Sequence, residues 1–334
     1  MVRKPVNVLF CSVGRRVELL RAFRHAYETL NLDGNIIALD VDPLAPALQV
    51  ADRSYIVPRL NEPGFIPTLL EICRSEGVDL VFPLIDQDIP VLAQNKAALE
   101  ATGARVAVIS PEAVAITADK WLTAGFFQDL GLDTPGSWLL GQLDDPDLAF
   151  PLIIKPRRSS AGEKSFIVRD GYELGFFIDY VPDPIIQEWL PRPEVTNDVI
   201  CDLDGNLLTV VSRQSIEVRW GEVTKSVTIH EPAITEACAC IARALPAAGP
   251  ITVRCLMKDG RPHFTEINAR LGSGVTLGIA AGADSPRWLL AYAVGLDEPV
   301  APLGAYKKDL YLTRCEESFF IGGQERRRLV NQRI

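Results

Sequence analysis

Glu266, Asn268 and Arg270, in the segment Glu266-Ile267-Asn268-Ala269-Arg270, place a carboxylate, a carboxamide and a guanidinium at alternate positions directly after a strand-like run. Alternation along an extended chain turns these three side chains to one face and Ile267 to the other. The oxygens of Glu266 and Asn268 are hard ligands suited to one or two Mg2+ ions, which retain waters and bridge phosphates. Arg270 adds a rigid fork of donors for phosphate or substrate oxygens. The same residues could equally end a strand at solvent, and their spacing alone leaves the two readings even.

A second group carries positive charge. In PLIIKP (151–156), Lys155 closes an apolar strand, and a lysine there needs an anionic partner or an outlet to water. The polar run 157–164, with Ser160 and Gly162, precedes the next strand. Backbone N–H groups of such a hairpin can lie over a triphosphate. Lys120 opens a helix, where the dipole already attracts phosphate, although taken singly it reads as a surface lysine.

These residues need rigid elements to hold them. The first third alternates VNVLFCSV, NIIALDVD and VDLVFPLI with amphipathic stretches, an order that implies a parallel sheet covered by helices. Val17, Leu20, Phe23 and Tyr27 recur at helical spacing. Ligands of such sheets sit beyond the carboxyl ends of the strands. The first turn, Cys11 to Arg16, has one glycine where a dinucleotide fingerprint needs three, which argues against a dehydrogenase. Asp40 and Asp42, after the second strand, read as turn caps rather than ligand contacts.

A helix over 119–130 follows, capped by Thr117 or Asp119, with Leu122, Phe126 and Leu130 as its expected buried stripe and Gly131 at its end. From Phe150 the period changes to strands, with tight hairpin turns at Asp204-Gly205 and Asp259-Gly260. Helices return at 234–245 and 285–295, so an α/β unit is followed by an α+β one.

Composition bounds the function. A chain of 334 residues suggests two or three subdomains, and 48% hydrophobic with 23% charged residues is ordinary for a soluble globular protein. No apolar run is long enough for a membrane span, and the N-terminal segment reads as a strand rather than a signal peptide. A cytoplasmic location is expected. The net charge of -9 argues against nucleic-acid binding, the basic tail 321–334 notwithstanding. Seven scattered cysteines without CxxC pairs suit reduced thiols, and the three histidines lack ligand spacing, so any metal must be held by oxygen.

Asp119-Lys120 opening a helix that runs to GLDTPGSW, the PLIIKP strand and its loop, IIQEWL, Glu194 with Asn197-Asp198, and EINARLGSG follow one another between residues 119 and 274. In this order they resemble the ATP-grasp superfamily, in its carbamoyl phosphate synthetase large-subunit branch. The resemblance implies a Rossmann-like pre-ATP-grasp domain over 1–112, a small subdomain over 113–186, a large subdomain over 187–320 and the tail over 321–334. It implies that Lys120, Lys155, Ser160 and Gly162 contact ATP phosphates, that the backbone of Gln187, Glu188, Trp189 and Leu190 reads adenine, and that Glu194 binds the ribose. Ile186 and Trp189 would then wall the base pocket, core packing being their other role.

Glu266 and Asn268 would hold Mg2+, with Mn2+ as a substitute, and Arg270, joined by Arg213 and Arg219, would face the reacting groups. The Gly272-Ser273-Gly274 backbone would receive a developing oxyanion. Three departures stand out: one glycine in the phosphate loop, Ala269 where relatives have proline, and Arg254 where they carry a further acidic or amide metal ligand. The activity so implied is a carboxylate-amine ligase that forms an acyl phosphate from ATP, joins it to an amine and releases ADP and phosphate. Its substrates would be a small carboxylate and an amine, one of them an amino acid. The alternatives are a bicarbonate or carbamate kinase and a non-catalytic ATP-binding module. A homodimer through the apolar N-terminal domain is the expected assembly.

Overall fold

The computed structural model describes residues 5–144, 148–158, 164–191, 193–219, 222–324 and 326. Five strands, β1 (Val8–Phe10), β2 (Ile36–Asp40), β3 (Arg53–Ile56), β4 (Leu80–Phe82) and β5 (Arg105–Val106), form a parallel sheet in the order β3-β2-β1-β4-β5. Helix α1 (Val17–Leu30) covers one face through Leu20, Phe23 and Tyr27, and Phe23 meets the rings of Phe10 and Phe82 there. Helices α2 (Phe65–Ser75), α3 (Asp88–Gln94) and α4 (Lys96–Glu100) cover the other with Leu69, Ile72, Leu92 and Leu99.

The loops at the carboxyl ends of these strands are pinned by buried carboxylates. Asp40 accepts from the N–H groups of Gly14 (2.7 Å) and Asp42 (2.9 Å), which is the capping role its position suggests. Asp88, fully buried, accepts from Ser12 Oγ (2.7 Å) and from the N–H groups of Leu84 and Ile85 (3.1 and 3.3 Å). Burial pushes its carboxyl up to about 6 against the pull of those donors.

Ser110 caps α5 (Pro111–Thr117), and Asp119 caps α6 (Lys120–Asp129) by accepting from the N–H groups of Trp121 and Leu122. The buried face of α6 is Thr123, Ala124 and Phe127, whereas Leu122 is 43% exposed, contrary to the stripe expected from its sequence. Contact with the strand carrying Phe264 sets that face, since the Phe127 and Phe264 rings lie 5.6 Å apart. Phe126 and Leu130 flank the same core.

Next comes a four-stranded antiparallel sheet in the order β6-β9-β7-β8, from β6 (Ser137–Trp138), β7 (Leu152–Pro156), β8 (Phe166–Val168) and β9 (Pro184–Glu188). Helix α7 (Gly171–Tyr180) packs on it. The last sheet has six antiparallel strands: β10 (Glu194–Cys201), β11 (Leu207–Arg219), β12 (Glu222–Ile229), β13 (Ile251–Lys258), β14 (Arg261–Asn268) and β15 (Tyr311–Thr313), in the order β14-β13-β10-β11-β12-β15. The β13–β14 turn has Asp259 and Gly260 both at positive φ (49° and 75°), as a two-residue hairpin of this type requires.

This sheet is apolar on one side and polar on the other. Val195, Val199, Val253, Phe264 and Ile267 pack with Ile234, Cys238 and Ile241 of α8 (Pro232–Ala244). Phe264 and Ile267 share that face although three residues apart, because the register shifts between Arg254 and Cys255 and leaves Thr265 as an extra residue. The bulge is what turns Glu266 to the polar side, opposite Arg254. Helices α9 (Val275–Ala280) and α10 (Ser285–Ala293) join this unit to α1.

The N-terminal domain is seated on the large sheet by specific contacts. Arg105 donates to Leu203 O, to Asp204 Oδ1 and to Tyr292 Oη, each at 2.9 Å. Gly249, at φ 84°, lies against Ala107 so closely that an added Cβ would come within 2.9 Å of the alanine Cβ. No helix among the described residues is long and apolar enough to cross a membrane, and all seven cysteines are free thiols. Gly249→Val is expected to cost about 2–4 kcal/mol, from the positive φ and the clash together. Urea unfolding checks this, and an unchanged midpoint would mean that the two domains do not depend on this seat.

Candidate functional site

Glu266 is the centre of a charged cluster drawn from three parts of the chain. Strand pairing sets Arg254 across from it, with NH1 3.3 Å from Glu266 Oε2. Lys155, at the end of β7, and Lys120, at the start of α6, approach from the small sheet. The Lys120 ammonium donates to the carbonyls of Pro156 (3.1 Å) and Arg157 (3.4 Å), so the two lysines share one corner. Asp119 fixes that corner: nearly fully buried, it accepts from Arg157 Nε and NH2 at 3.1 and 2.6 Å and lies 2.8 Å from Arg158.

The electrostatics reflect this crowding. Burial first, then Lys120 and Arg254, push the Lys155 ammonium down to about 8 despite Glu266. Burial also lowers Lys120. For Glu266, burial acts upward, but Arg254, Lys155, Lys120 and Arg270 together hold its carboxyl below the ordinary range. Glu266, with Glu194 and Asp86, in turn holds the Arg254 charge in place.

A residue not singled out in the sequence completes the cluster. Asp86, in the loop after β4, accepts from Arg270 NH2 at 2.8 Å and has its other oxygen 2.8 Å from Arg270 Nε. With its amide nitrogen toward them, Asn268 donates to Glu266 Oε1 (3.2 Å) and Asp86 Oδ1 (3.0 Å). Turned the other way, its oxygen lies beside theirs, and hard oxygens of this kind suit Mg2+. The signal for Asp86 was its position at the carboxyl end of a parallel strand. Only the seating of the domains brings it to Arg270.

A cleft of about 370 Å³ opens here between Asp86 and Gln87, Lys120 and the 266–269 segment. A larger hollow of about 470 Å³, near His230, Arg243 and Tyr306, contains none of these charges, so size is a poor guide to the site.

The remaining expected residues are placed as follows. Gln187 and Glu188 end β9, where Gln187 Nε2 donates to Ser137 Oγ (2.8 Å) and Lys258 Nζ donates to Glu188 Oε1 (2.5 Å). The N–H groups of Glu188 and Trp189 donate to Gly136 O and Pro151 O, while among the described residues the Leu190 N–H meets no hydrogen-bond acceptor. Ile186 is fully buried within the small sheet, so core packing accounts for it. Glu194 opens β10 near enough to Arg254 to act on its charge. Ser160 and Gly162 lie outside the described residues.

Arg213 has a different environment from the one expected. It is 2% exposed and bonded to buried Asp198, Nε to Oδ2 at 2.8 Å and NH2 to Oδ1 at 3.3 Å. Its guanidinium fills the space beneath Gly272 and Gly274, where a Cβ on Gly274 would come within 2.4 Å of it. It therefore supports the glycine loop, whose Ser273 carbonyl also accepts from Arg314. Arg219 is exposed near the end of β11 and shares Glu217 with Lys225 (2.6 and 2.8 Å) rather than joining the cluster.

Comparison with known proteins identifies two family domains in the chain. Residues 8–108 match the family described as PylC-like, N-terminal domain, and residues 117–274 match the ATP-grasp domain. A carbamoyl-phosphate synthase of Methanobrevibacter smithii is 26% identical over 160 residues, covering 46% of this chain and 42% of the relative. The 3-methyl-D-ornithine–L-lysine ligase of Methanosarcina acetivorans is 26% identical over 208 residues, covering 62% of this chain and 51% of its own length. The chain thus spans about half or less of these curated relatives. The crystal structure of an L-amino acid ligase from Bacillus licheniformis superposes with a TM-score of 0.67 at 20% identity, over 89% of this chain and 76% of that one.

Two outcomes are expected from the geometry. The Lys155 ammonium loses its proton in the folded chain near pH 8, before it would in the unfolded one, so its burial costs stability below that pH and the cost fades as pH rises towards 10.5. A polyanion restores the proton, so affinity for inorganic tripolyphosphate should fall between about pH 7 and about pH 9. Lys155→Met should flatten that profile, as measured by calorimetry, and an unaltered slope would remove Lys155 from the anion site. Separately, Asp198→Ala strands the buried Arg213 charge and should cost about 3–5 kcal/mol in urea unfolding; a loss under about 1 kcal/mol would show that water reaches the pair.

Proposed function

We propose that this chain, which carries an ATP-grasp domain behind a PylC-like N-terminal domain, is a carboxylate-amine ligase that uses Mg-ATP. The observation that carries the reading is the Glu266 cluster, where Lys120, Lys155, Arg254 and Arg270 converge beside oxygens suited to a hard cation. Such a concentration of positive charge calls for a polyanion, and ATP phosphates supply it.

Lys120, Lys155, Ser160 and Gly162 bind the phosphates. The hinge Gln187-Glu188-Trp189-Leu190 reads the adenine edge, chiefly through the Leu190 N–H, and Glu194 takes the ribose hydroxyls. Glu266 and Asn268 would hold Mg2+, or Mn2+ in its place, which would supply charge neutralisation at the phosphates. A carboxylate oxygen of the substrate attacks the terminal phosphorus and the bond to ADP breaks. An amine then attacks the acyl carbon, phosphate leaves, and the nitrogen gives up a proton to become an amide. Arg270, held by Asp86, faces the transferring group and stabilises its charge.

This sequence needs no side-chain nucleophile. Positioning and charge neutralisation supply the acceleration. The cleft beside Asp86 and Gln87 has the size for a small acid or amino acid. An amino acid is the favoured substrate class because two of the similar proteins, by their names, join amino acids.

The test is phosphate release across paired amino acids and small carboxylates, followed by mass spectrometry of any product. Glu266→Ala should reduce substrate-dependent ADP formation by at least about a hundredfold while the chain stays folded. Near-normal turnover in the folded variant would reject the metal role. Labelled bicarbonate converted to carbamoyl phosphate would instead favour the kinase reading, and tight ATP binding without turnover of any pair would favour a non-catalytic module.

A further inference from the structure

The oxygens at Glu266 leave open whether one divalent cation or two accompany the nucleotide, and Arg254 bears directly on that question. Its NH1 stands 3.3 Å from Glu266 Oε2, whereas Oε1 is the oxygen turned towards Asn268. Two ions bound to one carboxylate take one oxygen each, and here a guanidinium already stands at the second. A further divalent ion at Oε2 would lie beside a fixed positive charge that cannot be shed, since arginine stays protonated.

Arg254 also has donor capacity to spare. Its Nε is buried and, among the described residues, has no hydrogen-bond partner, although a buried donor normally finds one. The side chain as a whole is still 40% accessible, so an acceptor can reach the guanidinium. Lys155 and Lys120 border the same space. An exposed guanidinium among cations is met by an anionic oxygen, and phosphate oxygens suit the arginine fork.

We propose that the site takes a single divalent cation, at Glu266 Oε1 with Asn268, and that Arg254 bonds the phosphates directly in place of a second ion. The inference rests on the ATP reading above. It identifies Arg254 as a phosphate-binding residue whose charge is permanent, so one part of the phosphate neutralisation does not depend on the free Mg2+ concentration.

The experiment counts Mn2+ bound per chain in the presence of the saturating β,γ-imido analogue of ATP, from the electron paramagnetic resonance signal of free Mn2+. Calorimetry measures the same analogue in EDTA. The wild-type chain should bind one Mn2+ per analogue and retain measurable affinity for the metal-free analogue. Arg254→Gln, which offers an oxygen in place of the guanidinium, should gain a second Mn2+ and lose at least about tenfold in metal-free affinity. Arg254→Lys should keep the count at one. Two Mn2+ per analogue in the wild type overturn the proposal whatever the variants do, and so does a metal-free affinity unchanged in Arg254→Gln. A wild-type chain that binds no analogue at all overturns the ATP reading itself.

Discussion

One buried-edge carboxylate among four cations sets the terms for the rest of the molecule. Glu266 is faced by Arg254, Lys155, Lys120 and Arg270, and it alone cannot neutralise them. Burial lowers both the Lys155 and the Lys120 ammonium groups, and repulsion from Lys120 and Arg254 adds to the lowering of Lys155. Groups held in such a state persist only when packing elsewhere fixes their positions, because a solvated chain would let them move apart.

That packing lies on the opposite side of the same strands. Phe264 and Ile267 anchor β14 in the apolar layer under α8, and the extra residue Thr265 between them turns Glu266 outwards. The small sheet buries Leu152 and Ile154, and Lys155 is carried at its end. Asp119 adds a second restraint, since it caps α6 and grips Arg157 and Arg158 just beyond β7. One carboxylate therefore joins Lys120 to the strand that bears Lys155. Stability and reactivity are divided between two faces of one sheet, and neither face can shift without the other.

The N-terminal domain is part of the site as well as its neighbour. Arg105 and the close approach of Gly249 to Ala107 hold it against the large sheet. That seating delivers Asp86 to Arg270 and Asn268. Arg270 is thereby oriented by a carboxylate from a different domain, and the cleft between them has walls from both. Arg213 serves the same end from below, filling the space under Gly272 and Gly274 with a charge that Asp198 balances.

The parallel sheet, the hairpin turns and the polar face of EINAR were legible in the sequence because each rests on local periodicity or on a turn residue. Lys155 was legible as a charge closing an apolar strand, whereas Lys120 by itself reads as a surface lysine and Glu266 equally as a plain strand end. The buried face of α6 was not, because Leu122 and Thr123 compete for it and only the ring contact between Phe127 and Phe264 decides. Nor could spacing separate Arg213, sunk beneath a loop, from Arg254, which is partly exposed beside Glu266. Both are arginines in strands. Sequence determines which residues carry charge and which way a strand's side chains alternate, whereas pairing register and domain seating decide which charges meet, since those contacts join residues far apart in the chain.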